Sequence, residues 1–313
     1  MDIQKNINLA QFTTFKIGGP AKEFVVVKNE DELIEALQYA KENNLKYYIF
    51  GGGSNLFFDD KGFNGLIIKT ESNNSLKLLP ENQIESWAGE SLGSVVNFAR
   101  DNNLSGIEDL AGIYGQFGGA IRGNAGAFEI ELKDKIVSVR ALDISSEKPE
   151  IKIYDNAQCE FGYRMSIFKK NPHIIVVSAT IQLKQGEKEK IGERMKEIVR
   201  KRIEKQPTGW VGCAGSFFEN PTVSNPEIIA RFESDINGKM IGSKIPAGWL
   251  ITEAGLRGKK IGGIEVSEKH ANFVINTGGG TAEEIIILTS IIKQKVRTKF
   301  GVQLREEVQY VGY

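Results

Sequence analysis

The amino-terminal part of the chain alternates between the apolar period of a strand and that of a helix. Residues 23–27 carry aromatic and β-branched side chains after one acidic position, which predicts a strand. Asn29 and Glu32 have the three-residue spacing of a helix start. The apolar residues of the following helix share one face: Leu33, Ile34, Leu37 and Ala40. With strands predicted at 46–50 and 66–69, this segment forms a β-α-β unit.

The middle of the chain is dominated by strand-like segments. Its long β-branched runs are 136–142, 151–154 and 174–183. An earlier strand predicted at 83–88 leads to Ser91, which has the position of a helix cap. The break at 185–187 precedes a charged amphipathic helix, and we therefore predict an internal boundary there.

The last third contains one strongly marked helix. A strand predicted at 272–276 is followed by three glycines at 278–280. Thr281 and Glu284 then form a capping-box pattern, which predicts that a helix begins there. Its apolar residues recur at helical spacing: Ile285, Leu288, Ile291, Ile292 and Val296. The alternation of strands and helices along the chain predicts a multidomain α/β or α+β protein.

Length and composition exclude several classes of protein. The 313 residues are 41% hydrophobic and 26% charged, which is typical of a globular protein with two or three domains. Basic and acidic residues are equal at 40 each, so no nucleic-acid partner or anionic membrane surface is predicted. No stretch approaches the ~20 apolar residues of a membrane span. We predict no membrane insertion and a cytoplasmic location.

Cysteine and histidine are scarce. Cys159 and Cys213 stand alone, so neither a metal site nor a disulfide framework is predicted. Only His173 and His270 are present. Acid and base groups are therefore predicted to be of other residue types.

Glycine is abundant, with 34 residues, and part of this excess is concentrated in short segments. Consecutive backbone N–H groups without side chains let an anionic ligand approach closely. Gly18 and Gly19 indicate a tight turn, whereas the segments 51–55 and 112–126 predict ligand contact. None of these segments has the spacing of a Walker loop or of a Rossmann fingerprint.

An ordered set of motifs resembles the UDP-N-acetylenolpyruvoylglucosamine reductase family over nearly the whole chain. The motifs are TFKIGG at 14–19, FGGGSNL at 50–56, GQFGGA at 115–120, NAGA at 124–127, CEFGYR at 159–164, GSFFENP at 215–221, KHANF at 269–273 and FGVQLREEV at 300–308. Any one motif is weak evidence. Their order makes the resemblance specific, and the length of the middle region resembles the shorter subclass.

The resemblance implies an α+β fold with a two-part FAD-binding unit of the vanillyl-alcohol-oxidase type and an α/β substrate-binding domain. The two FAD-binding subdomains are predicted at 1–70 and 71–186, and the substrate domain at 187–313. The last strand, which carries Glu307, is predicted to return to the active site. FAD is expected to be non-covalent, because 1–158 contain no His or Cys for covalent attachment.

The implied activity is reduction of the enolpyruvyl ether of a UDP-sugar in bacterial peptidoglycan precursor synthesis, with NADPH as co-substrate and a monomeric enzyme. Arg164 matches the group that stabilises negative charge, Ser216 the proton donor, and Glu307 the carboxyl group that orients substrate. Glu306 takes the last role if the register differs by one residue. Residues matched to substrate binding are Tyr163, Lys205 and Asn220. Residues predicted to bind FAD are Gly51, Gly52, Gly53, Ser54, Asn55, Gly112, Gly115, Gly118, Gly119, Ala120, Asn124 and Gly126.

Each of these residues also has a structural interpretation: a turn glycine, a surface ion pair, or a solvated helix end. For His270 the structural interpretation is preferred. The chain departs from the family at Tyr114, Met165 and Glu219, where Pro, Asp and Lys are usual. Two other functions remain open: an FAD oxidase or dehydrogenase acting on a sugar or hydroxy acid, and a low-activity relative that binds nucleotide sugars.

Overall fold

The computed structural model describes residues 1–128, 130–146, 148–207, 211–240 and 242–313. Its contacts divide the chain into two compact units. The first unit contains residues 1–7, 21–52 and 64–204, and the second contains 8–20, 53–63 and 205–313. The chain therefore contributes an amino-terminal arm and one internal loop to the second unit, besides its carboxyl-terminal third.

The described helices and strands are interspersed along the chain, which agrees with the predicted α+β class. The strands are β1 Gln4–Asn8, β2 Pro20–Val27, β3 Tyr47–Phe50, β4 Leu56–Phe58, β5 Phe63–Thr70, β6 Lys77–Leu79, β7 Gln83–Trp87, β8 Leu104–Ser105, β9 Gly126–Ala127, β10 Ile130–Glu131, β11 Ile136–Asp143, β12 Glu150–Asp155, β13 Ile174–Gln182, β14 Lys184–Gln185, β15 Gly212–Ser216, β16 Lys260–Ile261, β17 Ile264–Val266, β18 Phe273–Asn276 and β19 Gln309–Val311. The α-helices are α1 Glu30–Glu42, α2 Leu92–Asp101, α3 Phe117–Arg122, α4 Ile167–Lys170, α5 Lys188–Lys205, α6 Pro226–Asp235, α7 Ala247–Glu253 and α8 Ala282–Phe300.

The first unit begins with the predicted β-α-β unit. Its sheet has the strand order β1-β2-β5-β3, and β3 and β5 are parallel. The Asn29 side chain caps α1 by accepting the Glu32 N–H at 2.9 Å. The Glu32 carboxylate accepts the Lys28 N–H at 2.7 Å, so the reciprocal bond of the predicted capping box goes to the preceding residue. The predicted apolar face of α1 packs on this sheet through Leu33 and Leu37.

A second sheet of the first unit, in the order β12-β11-β13-β7-β6, is antiparallel throughout. Ser91 caps α2 as predicted, accepting the Ser94 N–H at 2.8 Å. The buried face of α2 packs with α3 in the same core. This arrangement places the glycine-rich segment after 112 against the end of β7.

Helix α5 follows the boundary predicted at residue 186, and nearly all of it lies in the first unit. Ile191 and Ile198 are buried there, and Arg194 binds the Asp109 carboxylate with both Nε and Nη2, at 2.6 and 2.9 Å. The compact units therefore divide the chain after Glu204. The three domains at 1–70, 71–186 and 187–313 stay a prediction.

The second unit is built around a sheet in the order β15-β18-β17-β16. The capping box of Thr281 and Glu284 is confirmed at the start of α8, and Gly301 ends that helix with φ of 67°. The apolar face of α8 packs on the core of this unit through Leu288, Ile292 and other buried residues. Strand β19 pairs in parallel with β4, which brings the carboxyl-terminal segment beside the loop that begins at Gly53.

Among the described residues, the structure has no helix with both the length and the apolar character needed to cross a membrane.

Candidate active site

Two predicted glycine segments meet in the first unit. Gly51 and Gly52 follow β3, and a Cβ atom at Gly51 would lie 1.8 Å from the Oε1 atom of Gln116. A Cβ at Gly52 would lie 3.2 Å from the Cα atom of Gly115. The Gln116 amide is fixed by Thr70, whose hydroxyl it accepts at 2.8 Å and whose carbonyl it binds at 2.7 Å. Glycine is needed here because backbone and amide approach closer than a side chain permits.

Helix α3 lies within the glycine-rich segment and was not predicted from the sequence. Its first two N–H groups, of Phe117 and Gly118, donate to the carbonyls of Glu90 and Ala88 at 2.8 and 2.9 Å. A Cβ at Gly118 would lie only 2.6 Å from the Cβ atom of Ala88, so the helix is seated directly on the end of β7. A Cβ at Gly119 would meet no described protein atom within 4 Å. Gly118 therefore serves packing, while Gly119 leaves an open flank.

The loop before α3 turns sharply at two glycines that were predicted to bind FAD. Gly112 and Gly115 have φ of 77° and 121°, in the region that favours glycine. A Cβ at Gly112 would lie 3.0 Å from the Cδ atom of Arg202, whose Nε donates to the Ala111 carbonyl at 2.9 Å. Tyr114, the departure from the family in this loop, is exposed. The tyrosine therefore points to solvent rather than into the core.

The remaining residues predicted to bind FAD in the first unit have structural contacts. Ala120 packs against the core, and a Cβ at Gly126 would lie 2.7 Å from the Ile130 carbonyl oxygen. Asn124 is fully buried, and its amide binds the Gly162 carbonyl at 2.9 Å. These contacts show how the segment is held, and a direct role in binding FAD stays a prediction for all three.

Arg164 lies in a tight turn of the first unit. Its guanidinium donates to the Gly126 carbonyl at 3.3 Å and lies 5.3 Å from the centre of the Tyr163 ring. The two residues predicted to contact substrate in this motif are therefore adjacent in space as well as in sequence. The Arg164 backbone has φ of 55°, a left-handed conformation that residues with a side chain seldom adopt.

In the second unit, residues 53–55 form a tight connection in which Gly53 has a conformation that favours glycine. Gly53 has φ of 60°, and a Cβ there would lie 2.2 Å from the Phe12 carbonyl oxygen. Ser54, at the next position, is half-buried. Asn55 donates its side-chain amide to the Glu307 carbonyl at 3.1 Å. Asn55, predicted to bind FAD, thus fixes the segment that carries a predicted catalytic carboxyl group.

The structure brings Ser216 and Glu307 into neighbouring backbone segments of the second unit. Ser216 ends β15 opposite Phe273 of β18. The Glu307 N–H donates to the carbonyl of Phe217, the residue after Ser216, at 2.9 Å. The carboxylate of Glu306 instead binds the Lys293 ammonium at 2.5 Å. The Glu306 carboxylate is therefore held in an ion pair, and the choice of Glu307 over Glu306 as the substrate-orienting group stays a prediction.

Asn272 supports the Ser216 segment and was not singled out from the sequence. Its side chain accepts the Phe218 N–H at 3.0 Å and donates to the Phe218 carbonyl at 2.8 Å. The Asn272 N–H donates to the Nδ1 atom of His270 at 3.2 Å. Both residues belong to the KHANF motif, which carried the signal without showing what the side chains bind. The structural interpretation of His270 agrees with this geometry.

His270 is expected to make folding stability sensitive to pH. Burial lowers the pKa of His270 below its usual value of about 6.5. Below about pH 6.5 the unfolded chain therefore binds a proton at His270 that the folded chain does not bind. The free energy of unfolding contributed by the neutral, buried His270 is complete above about pH 6.5, and it is lost as the pH falls through the lower pKa of the folded state. Urea unfolding midpoints should fall less between pH 7.5 and 5.5 in His270→Gln than in the native chain. The exposed His173→Gln is the control and should retain the native slope.

The remaining substrate candidates lie in the second unit. Asn220 accepts the N–H of Ala247, at the start of α7, with its side-chain oxygen at 3.0 Å. Lys205 ends α5 and is exposed, so its ammonium group is accessible to solvent. Glu219, the departure next to Asn220, is fixed through its backbone N–H to the Arg305 carbonyl at 2.9 Å.

The residues of the first unit fit a cofactor held by backbone. Gly51, Gly52 and Gly118 allow three segments to approach so closely that side chains are excluded, and Gly119 faces open space. The open flank at Gly119 is the part of this surface where a ligand such as a dinucleotide can approach the backbone without meeting a side chain. The fit supports FAD and requires no Rossmann turn.

Comparison with known protein families matches two regions of the chain to two described domains. A model of the FAD binding domain matches residues 21–147, which confirms the FAD cofactor predicted from the sequence. A model described as the C-terminal domain of UDP-N-acetylenolpyruvoylglucosamine reductase matches residues 206–311. The two matched regions lie mainly in the first and in the second unit, respectively.

Relatives of known name match almost the full length. The UDP-N-acetylenolpyruvoylglucosamine reductases of Carboxydothermus hydrogenoformans and Solibacter usitatus are 38% and 36% identical, over 99% and 97% of this chain and 94% and 95% of their own. The crystal structure of the enzyme from Thermus caldophilus matches with a TM-score of 0.76 and 30% identity over 99% of both chains. This structural match confirms the predicted fold class. The chain belongs to the UDP-N-acetylenolpyruvoylglucosamine reductase family.

Proposed function

We propose that the protein is an NADPH-dependent oxidoreductase that uses FAD to reduce UDP-N-acetylglucosamine enolpyruvate to UDP-N-acetylmuramate. The observation that carries the proposal is the pairing of the Glu307 segment with Phe217, directly after Ser216, in a chain of this family. The proposal places the protein in peptidoglycan precursor synthesis in the cytoplasm. Its partners are the UDP-sugar and NADPH, and it acts as a monomer.

The reaction adds a hydride and a proton across the double bond of an enol ether. FAD, when bound, supplies the hydride that it takes from NADPH. Negative charge then develops on the neighbouring carbon and on the substrate carboxylate. The guanidinium of Arg164 would stabilise that charge, because a fixed cation in a site with little water acts strongly on the transition state.

Ser216 would donate the proton to the carbanionic carbon. A serine hydroxyl is a weak acid in water, so the role requires neighbouring groups that favour loss of its proton or orient it. Glu307 would orient the substrate beside it. Two bonds support this role, because they restrict the segment that carries the hydroxyl: the Phe218 N–H donates to the Asn272 side-chain oxygen, and the Glu307 N–H donates to the Phe217 carbonyl.

Tyr163, Lys205 and Asn220 are proposed to bind the UDP-sugar. The lysine ammonium would provide a point charge for the diphosphate. The glycine segments at 51–55 and 112–126 are proposed to hold FAD mainly through backbone N–H groups. Local cations thus handle an anionic substrate in a chain whose charges balance overall.

Glu307 and Glu306 are expected to respond differently to neutralisation. Glu307→Gln should slow transfer from reduced flavin to the UDP-sugar by about 10²-fold or more, since a positioned carboxyl group is lost. Glu306→Gln should leave that rate nearly unchanged and reduce stability by at most about 1 kcal/mol, through the ion pair with Lys293. Stopped-flow reoxidation and urea unfolding measure the two effects. A larger kinetic loss in Glu306→Gln would assign the role to Glu306.

The proposed function is tested by separating the two half-reactions without oxygen. The purified protein should be yellow, NADPH should bleach the flavin, and UDP-N-acetylglucosamine enolpyruvate should restore its colour with formation of UDP-N-acetylmuramate. Colourless protein that cannot be reconstituted with FAD would contradict the proposal. Rapid oxygen consumption with a sugar or hydroxy acid would instead identify an oxidase, and binding of the UDP-sugar without turnover would identify a binding protein.

A further inference from the structure

The turn that carries Arg164 is closed by its own backbone. The Gly162 N–H donates to the Met165 carbonyl at 3.0 Å, and the Met165 N–H donates to the Gly162 carbonyl at 3.1 Å. Arg164 has φ of 55° inside this turn, and a residue with a Cβ atom disfavours that conformation. Two backbone bonds thus close the turn around a residue in a disfavoured conformation, and side chains from outside the turn also bind its backbone.

Asn124 supplies one such contact. It is fully buried, and its Nδ2 donates to the Gly162 carbonyl at 2.9 Å and to the Glu131 carboxylate at 3.2 Å. Its Oδ1 accepts the Lys133 N–H at 3.0 Å. These three bonds engage both ends of the amide with protein groups. The side chain therefore links the Arg164 turn to the segment 131–133.

Lys169 supplies a second contact to the turn, at the Arg164 carbonyl. Its Nζ donates to the Arg164 carbonyl at 2.9 Å. Lys169 lies in α4, whose cap Ser166 accepts the Lys169 N–H at 3.3 Å and donates its hydroxyl to the Arg122 carbonyl at 2.7 Å. Arg122 is the last residue of α3. The turn is thus attached to the carboxyl-terminal end of the helix whose first residues belong to the predicted FAD segment.

We propose that Asn124 and Lys169 are positioning residues that hold the Arg164 turn and so set where the Arg164 guanidinium acts on the substrate. The proposal rests on the proposed function. It gives the Asn124 side chain a role different from the direct FAD contact expected from the sequence. It also connects the flavin segment with the charge-stabilising arginine through one short helix.

The kinetic consequence follows from the geometry. A charge-stabilising group contributes only when it stands where charge develops, and a displacement of about 1 Å can reduce a rate by about 10²-fold. Loosening the turn should therefore slow transfer to the UDP-sugar. Reduction of the flavin by NADPH does not generate charge at the substrate, so it should be unaffected in a Lys169 variant, because Lys169 lies outside the segments proposed to hold FAD.

The first experiment compares adjacent lysines of α4. Lys169→Met keeps the aliphatic stem and removes the bond to the Arg164 carbonyl, whereas Lys170→Met removes a bond to the exposed Glu160 carboxylate. Hydrogen–deuterium exchange of the amides at 162–166 should rise about tenfold or more in Lys169→Met, and Lys169→Arg should restore protection, since the turn opens by local unfolding. Unchanged exchange would show that Lys169 does not hold the Arg164 turn, whatever reaction the protein catalyses.

The second experiment is a double-mutant cycle on transfer to UDP-N-acetylglucosamine enolpyruvate. Lys169→Met, and Asn124→Gly where it folds, should slow transfer by about 10- to 10²-fold in the native background. In an Arg164→Gln background the same changes should have little further effect, because they act through the arginine. Equal losses in both backgrounds would indicate general structural damage and overturn the positioning role. A native protein that shows no transfer would overturn the proposed function. The exchange measurement would still decide whether Lys169 holds the Arg164 turn.

Discussion

Ser216→Ala is expected to leave flavin reduction by NADPH intact and to slow transfer to UDP-N-acetylglucosamine enolpyruvate by about 10²- to 10⁴-fold. The reason is chemical: the methyl group of alanine cannot donate the proton that the carbanionic carbon requires. The backbone of the site should be preserved, because the contacts that fix it come from Phe217 and Phe218 rather than from the Ser216 side chain. Anaerobic stopped-flow measurement of each half-reaction separates the two effects.

A matched control for this variant is Ser224→Ala, which removes an exposed hydroxyl from the same unit. Both half-reactions should keep their native rates in the control. Transfer in solvent deuterium adds a second readout, since the native rate should fall when proton donation contributes to the barrier. Unchanged transfer in Ser216→Ala would remove this serine from the mechanism and point to a different proton donor.

Local sequence patterns predicted the elements whose ends and buried faces are marked by residues close together in the chain. Helix α8 has an apolar face and a capping box, and both are present in the structure. The caps of α1 and α2 likewise follow from Asn29 and Ser91. In these cases the side chain that decides the structure lies within four residues of the backbone group that it binds. Such short-range relations can be inferred from one sequence.

Helix α3 could not be predicted because its stability is tertiary. It contains Gly118 and Gly119, which are poor helix formers, and it spans only six residues. Its start is fixed by the carbonyls of Ala88 and Glu90, which lie well before it in the chain. Bonds between residues that are distant in the chain leave no periodic pattern of apolar residues in the sequence. The resemblance identified this segment as functional without indicating that it is helical.

The same limit applies to the candidate site. The motifs identified Arg164, Ser216 and Glu307 by position, and their roles stay proposals. The bonds that hold these residues join distant parts of the chain: Asn124 reaches Gly162 across 38 residues, and Asn55 reaches Glu307 across 252. A single sequence contains both partners of each bond but no indication that they meet.

Gly118 and Gly119 are adjacent in α3, and their replacement by alanine is expected to change the stability of the apoprotein in opposite directions. In Gly118→Ala the new Cβ would lie 2.6 Å from the Ala88 Cβ, so the helix must move off β7. Overpacking of this kind typically destabilises by about 1–3 kcal/mol, and FAD affinity should fall with it. Thermal unfolding of the apoprotein and quenching of flavin fluorescence on binding measure the two effects separately.

In Gly119→Ala the new methyl group meets no described protein atom, and alanine is a better helix former than glycine by up to about 1 kcal/mol. The apoprotein should therefore become slightly more stable, while FAD affinity should fall because the methyl group enters space proposed for the cofactor. Stability and FAD affinity thus change in opposite directions in Gly119→Ala, whereas both fall in Gly118→Ala. Native FAD affinity in Gly119→Ala would place the cofactor away from this face of the helix and reduce Gly119 to a structural residue.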